Sequence, residues 1–187
     1  MSKIKEYLVP TFVLFIICLI AAVLLGVTNE VTAPTIAAND AKAAQEAMAD
    51  VLPEGKDFSE SGENEFGTYA VAKDESGNIV GYAVTAVGKG GYGGDITLMV
   101  GVDKDGAVTK MNFLSIDETP SVGGKLTTKA DWLAQFVGLK ESAALTKDGG
   151  TVDAVSGATK TSKGITDAVN NALQCYSKIT EEVSVNG

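Results

Sequence analysis

Ile96-Thr97-Leu98-Met99-Val100-Gly101-Val102, then Asp103-Lys104-Asp105-Gly106, then a second run from Val108 to Ile116, is the stretch that decides the fold. Apolar and β-branched residues fill both runs. The acidic cluster between them offers side-chain acceptors to its own backbone and a glycine for the reversal, which reads as a hairpin. The same pattern precedes it. Phe66 to Lys73 and Ile79 to Val87 flank Asp74-Glu75-Ser76-Gly77-Asn78, a second hairpin. Between the hairpins lies Gly88-Lys89-Gly90-Gly91-Tyr92-Gly93-Gly94-Asp95, with five glycines in seven residues. Such a run costs backbone entropy unless positive φ or a close approach is needed. It reads either as a flexible connector or as a loop that lets backbone pass close to a planar ligand, with Tyr92 available to stack. No helix follows it, so it is not a dinucleotide-binding fingerprint.

Toward the C-terminus, a polar loop from Asp117 to Lys125 leads to a helix expected over Lys129 to Val137, with Trp132, Leu133 and Phe136 on one face. Trp132 reads as core. A short strand is expected at Thr151 to Val155. A final helix, Lys163 to Ile179, has Ile165, Ala168, Val169, Ala172, Leu173 and Tyr176 on its apolar face. Strands followed by flanking helices predict an α+β domain with an antiparallel sheet.

Toward the N-terminus, Asp57 to Glu65 is acidic and lacks the regular ligand spacing of a calcium loop, so it reads as a solvated loop. Thr35 to Leu52, with Ile36, Ala43, Ala47 and Val51 at helical spacing between Pro34 and Pro53, reads as a helix that continues outward from the membrane span and docks on the domain. Leu8 to Val27 carries no charge over 20 residues, enough at ~1.5 Å per residue to span the ~30 Å hydrocarbon core of a bilayer. Lys3 and Lys5 precede this run and Glu30 is the first charge after it. The positive-inside rule therefore predicts a cytoplasmic N-terminus and an extracytoplasmic main domain. A cleavable signal is the competing reading, but its best small-residue site, Val31-Thr32-Ala33, is followed by Pro34. The expected organisation is a cytoplasmic segment 1–7, a transmembrane helix 8–27, a connecting helix and acidic loop 28–65, and the main domain 66–187.

Composition removes several chemistries. The chain has no His, and all 15 of its basic residues are Lys. Without His there is no Ser-His or Cys-His pair and no imidazole metal site. A net charge of −9 argues against a nucleic-acid partner. Cys18 and Cys175 alone cannot enclose a zinc ion or an iron–sulfur cluster, and no metal site is expected. Redox chemistry would need an organic cofactor.

One stretch stands apart: Asp153-Ala154-Val155-Ser156-Gly157-Ala158-Thr159-Lys160-Thr161-Ser162. Small residues and hydroxyls crowd in front of the last helix, where backbone N–H groups and the helix dipole favour an anion. Two readings stand here: an ordinary helix N-cap, or a loop on which Thr159 carries a phosphate-linked group.

Ser156-Gly157-Ala158-Thr159, with Asp153 before it and Thr161-Ser162 after, resembles the flavinylation motif of FMN-binding domains. Gly91-Tyr92-Gly93-Gly94, Glu118-Thr119-Pro120, Trp132-Leu133 and Gln135-Phe136 occur in the same order in that family. With one N-terminal span, the whole chain is similar to the G subunit of the Rnf ion-translocating ferredoxin:NAD oxidoreductase. Ser121-Val122 departs from the Gly-Leu usual in relatives. The resemblance implies a membrane-anchored electron-transfer subunit of a translocating oxidoreductase, an electron carrier without independent substrate chemistry. It implies FMN held covalently through its phosphate on Thr159 as a phosphothreonine ester, installed by a flavin transferase that recognises Asp153. Partners would be the other membrane and peripheral subunits of the complex, and membrane lipid. Ser156, Gly157 and Ala158 would belong to the cofactor-binding loop, the last two keeping it open to the transferase. Lys160 and Lys163 would supply charge to the phosphate, with the N–H groups of Lys160 to Lys163 as donors. Thr161 and Ser162 would either hydrogen-bond the phosphate or cap the helix. Tyr92, Gly93, Glu118 and Thr119 would line the ring. Alternatives are a component like the C subunit of the sodium-pumping NADH:quinone reductase, a stand-alone extracytoplasmic flavoprotein, or a non-redox anchored binding module.

Overall fold

A computed structural model describes residues 2–186, with side chains described for 7–182. The expected cytoplasmic segment 1–7 therefore lies partly outside the described residues, including Met1 and the side chains of Lys3 and Lys5. The chain divides into two compact units, Met1–Lys42 and Ala43–Gly187.

Helix α1 covers Ser2–Val51 and contains both Pro10 and Pro34. In the first unit its large apolar side chains, among them Leu8, Phe12, Phe15 and Leu24, are exposed. Among the described residues this is the one helix long and apolar enough to cross a membrane. The helix expected to continue outward from the apolar run does so without a break at Pro34, because α1 runs through that proline. Pro34 leaves the carbonyl of Glu30 without its usual donor, a local cost on the order of 3 kcal/mol. The alanine-rich sequence beyond it, Ala37, Ala38, Ala41, Ala43 and Ala44, has the highest intrinsic helix propensity and carries the helix on.

The second unit is a meander of five strands, β1 (Ser61–Asn64), β2 (Gly67–Lys73), β3 (Ile79–Gly88), β4 (Ile96–Asp103) and β5 (Val108–Ser115). They lie in sequence order with every neighbouring pair antiparallel. The four expected strands are present, and their turns close as the sequence suggests. The Asp74 carboxylate accepts the N–H groups of Ser76 and Asn78, and that of Asp103 accepts those of Asp105 and Ala107. β1 corrects the expected acidic loop. Four residues without an alternating apolar pattern give no sequence signal, and pairing with β2 makes them a strand.

Both faces of the sheet are used. Tyr82, Val84 and Ala86 of β3, with Leu98, Val100 and Val102 of β4, belong to a core that includes Ile165, Ala168, Val169, Ala172 and Leu173 of α3 (Thr159–Asn186). Each fully buried side chain of Leu size contributes roughly 1.5–3 kcal/mol, so this layer dominates the stability. On the other face Ala72, Ala83 and Met99 meet Ala47, Val51 and Leu52 at the end of α1. Within this unit Thr109 donates its hydroxyl to the Val51 carbonyl at 2.6 Å. A Cβ on Gly101 would sit 2.5 Å from that same oxygen, so glycine permits the approach. Ala43, expected on the docking face, is exposed; Ala44 and Met48 pack there instead.

Between β5 and α3 the expected helix 129–137 is broken into a 3-10 turn at Gly124–Thr128, the short helix α2 (Ala130–Leu133) and a further 3-10 turn at Ala134–Phe136. Its apolar face is as expected, with Trp132 and Phe136 buried edge to face at 5.2 Å. The expected strand 151–155 reduces to a single bridge between Val152 and Leu145.

Candidate functional site

The segment entering α3 is held from three sides. The Trp132 indole N–H donates to the carbonyl of Asp153, and the Asp153 N–H donates to Gln135 Oε1 at 2.9 Å. Thus α2 and the turn after it grip the backbone of Asp153. Ala158 N–H then donates back to the Val155 carbonyl at 2.9 Å, closing a turn in which Gly157 has φ +79°. Positive φ at the third position is the mark of a type II turn and the reason for glycine there. Ser162 completes the arrangement. Its hydroxyl accepts the Val155 N–H at 3.0 Å and donates to the Ala158 carbonyl at 3.0 Å.

The same Ala158 carbonyl accepts the Ser162 N–H at 2.9 Å, which opens the helix. The helix therefore begins four residues before the expected Lys163. Ala158 occupies the N-cap and has no side-chain acceptor, so the reading of Thr159 as an N-cap is corrected. Thr159 is the first helical residue, is exposed, and among the described residues no hydrogen bond engages its hydroxyl. A helix opening at Thr159 leaves the N–H groups of Thr159, Lys160 and Thr161 without intrahelical acceptors. The expected donor set 160–163 thus shifts toward the turn, because Ser162 N–H is already bonded.

These donors border a cavity of about 470 Å³. One wall is Gly157 to Thr161, and the other is Tyr92 with Glu118, Thr119 and Val122. The volume lies in the range of small-ligand pockets, ~300–1,000 Å³. Lys160 Nζ lies 5.7 Å from the centre of the Tyr92 ring. An exposed hydroxyl, three N–H donors at the positive end of a helix, an ammonium group and an aromatic ring suit a phosphate-bearing planar ligand such as FMN.

The remaining expected residues are distributed around this centre. Asp153 and Ser156 line a separate groove of about 830 Å³ on the Lys125, Lys129 and Trp132 side of the loop. Ser162 is buried inside the turn, and Lys163 faces a third depression with Asp148 and Asp167. Gly93 lies beside the cavity, with its N–H donating to Glu118. The glycine loop makes its close approaches to protein. A Cβ on Gly88 would lie 1.8 Å from the Gly164 carbonyl of α3, and one on Gly93 would lie 1.5 Å from that of Asp117. Sequence reasoning misses Gly164 and the supporting role of Gln135, and the Ser162 hydroxyl, expected at the phosphate or as a cap, is instead engaged by the Val155 N–H and the Ala158 carbonyl. Single polar or small residues in helices carry no pattern that identifies such a partner. Cys175 is buried; burial pushes its thiol pKa up, against a smaller lowering by its hydrogen bond with Asn64.

A family model described as the FMN-binding domain matches residues 91–174, and one described as the RnfG N-terminal region matches residues 1–51. The chain is 34% identical over 186 residues to the G subunit of the ion-translocating oxidoreductase complex of Methanosarcina acetivorans, covering 95% of this chain and 98% of that protein. It is 30% identical over 190 residues to the G subunit of the Na(+)-translocating ferredoxin:NAD(+) oxidoreductase complex of Acetobacterium woodii, covering 90% and 91%. Among solved structures, NqrC of Shewanella oneidensis shares the fold with a TM-score of 0.51 at 21% identity, over 73% of this chain and 74% of that one.

Proposed function

Because the chain belongs to the family of G subunits of ion-translocating oxidoreductase complexes, we propose that its FMN is carried covalently, through its phosphate, on Thr159. The protein is a membrane-anchored flavin electron-transfer subunit of such a complex. The observation that carries the finer reading is the position of Thr159: exposed, first in α3, and on the wall of the cavity shared with Tyr92, Glu118 and Thr119. FMN held there would supply the redox chemistry of an electron carrier.

The residues of the chain bind and orient. The N–H groups of Thr159, Lys160 and Thr161 and the Lys160 ammonium offset phosphate charge, each favourable charge near the helix end contributing ~0.3–1 kcal/mol. Tyr92 offers its face to a planar ring. A threonine hydroxyl is a poor nucleophile without an adjacent base, and this chain has no His. Attachment therefore falls to a flavin transferase that takes FMN from FAD with Mg²⁺. The Thr159 Oγ–phosphorus bond forms, the pyrophosphate bond breaks, AMP leaves, and a base of the transferase takes the hydroxyl proton. Asp153, which lines the groove on the other side of the loop, would be the residue that enzyme recognises.

Lys3 and Lys5 before the apolar run argue for a cytoplasmic N-terminus and an extracytoplasmic FMN domain. A covalent tether suits that location, where a dissociated flavin is not readily replaced. The test is the intact mass of protein co-expressed with a transferase. One FMN-sized addition, mapped to Thr159 and absent in Thr159→Ala, supports the reading. An unmodified wild-type chain overturns it.

A further inference from the structure

Glu118 holds a position that ring contact alone does not account for. Its Oε1 accepts the N–H of Tyr92 at 2.6 Å and that of Gly93 at 3.2 Å. Its Oε2 lies against Gly123, where an added Cβ would sit 2.5 Å from it and 2.4 Å from Thr161 Oγ1 of α3. A Cβ on Gly91 would come within 2.8 Å of Oε1. The carboxylate is thus seated among glycines where the glycine loop, the 117–124 loop and the start of α3 converge.

The base of the glycine loop is fastened separately. Lys89 N–H donates to Asp167 Oδ2 at 2.7 Å, and the Lys89 ammonium pairs with Asp95. Inside that base Gly90 has φ +87° and Gly94 φ +144°, conformations that favour glycine and bracket the tip. Between them, the hydrogen bonds from Tyr92 and Gly93 to Glu118 tie the tip down.

We propose that Glu118 is a positioning residue: its carboxylate latches the tip of the glycine loop so that Tyr92 stands over the cavity, and it leaves a fixed negative charge beside the bound flavin. The latch follows from this chain alone; the electrostatic consequence rests on FMN occupying the cavity. Charge-assisted bonds to backbone N–H are about twice as strong as neutral ones. A negative charge near the ring opposes electron uptake and lowers the flavin potential.

The test compares Glu118→Gln and Glu118→Ala in the full chain. Gln keeps an oxygen acceptor and removes the charge, whereas Ala removes both. Hydrogen exchange of the Tyr92 and Gly93 amides should accelerate about tenfold or more in E118A and by a clearly smaller factor in E118Q, which keeps a neutral acceptor. The Val84 and Val100 amides in the sheet, protected in both variants, show that the domain remains folded. Potentiometric titration of flavin-loaded protein should show a higher midpoint potential in E118Q than in wild type, a change that loosening of the loop alone would not produce while the exchange shift stays well below that of E118A. Unchanged exchange in E118A overturns the latch. An unchanged potential in E118Q with the flavin mass present overturns the charge effect. A wild-type chain without flavin refutes the proposed function instead, and the exchange measurement still decides the latch.

Discussion

The Ser162 hydroxyl accepts the backbone N–H of Val155 at 3.0 Å, bridging the two ends of the turn that presents Thr159. Ser162 is fully buried, and the same oxygen donates to the Ala158 carbonyl. One hydroxyl therefore satisfies a loop amide and supports the first carbonyl of α3. Ser162→Ala leaves the Val155 N–H without its partner. We expect a loss of about 1–3 kcal/mol in urea unfolding, with reduced flavin occupancy because the turn no longer holds Thr159 in place.

Thr159→Ala should behave in the opposite way. The residue is exposed and not the N-cap, so stability should stay within about 0.5 kcal/mol of wild type while covalent flavin disappears. A capping role predicts a loss of ~0.5–2 kcal/mol, which a thermal melt of the flavin-free proteins distinguishes.

Gly88→Ala would place a methyl 1.8 Å from the Gly164 carbonyl and 2.6 Å from the Ala168 nitrogen. Both neighbours are backbone of α3, so the helix must move off β3. Destabilisation of about 2–3 kcal/mol or more is expected in denaturant unfolding.

Stability should fall on the alkaline side. Burial raises the pKa values of Cys175, Tyr82 and Tyr176, so the folded state holds these protons longer than the unfolded chain. Their contribution is complete below the unfolded values. It is lost as pH rises from those values through the raised folded ones. Cys175→Ala should flatten the first part of that decline in unfolding measured between about pH 8 and 10. On the acid side, the Asn78 backbone and side-chain amides hold the Asp74 carboxylate below its usual value. Its contribution is present above the unfolded carboxylate value and lost as pH falls through the folded one, and Asp74→Asn should remove that dependence.

Purified chain mixed with FAD and Mg²⁺ alone should gain no mass. With no His to activate the Thr159 hydroxyl, attachment should appear only when a transferase is added. Mass spectrometry of a time course checks this, and addition without the enzyme would contradict it.

Much of the fold is legible in the residues. The runs around Asp74 and Asp103 alternate or cluster strongly enough to specify the two hairpins, and the structure keeps their turns. β1 is not legible because its pairing with β2 comes from proximity, not pattern. Pro34 marks no break, and the sequence alone does not separate a start-signal proline from a tolerated interior one. Thr159 stands out in the sequence as an unusual position, but its relation to the helix does not. The choice between N-cap and first helical residue depends on which carbonyl accepts Ser162 N–H.

What adds up along the chain can be read without a structure: the apolar run of α1, the strand runs, the absence of His and Arg, and the order of the motifs around Thr159. Which groups meet is settled by packing alone. Trp132 and Gln135 hold Asp153, Glu118 ties down Tyr92, and Tyr92 faces Lys160 across the cavity. These contacts join residues far apart in the chain, and their geometry follows from how α3 and the loops pack on the sheet. Local propensity carries no information about such distances.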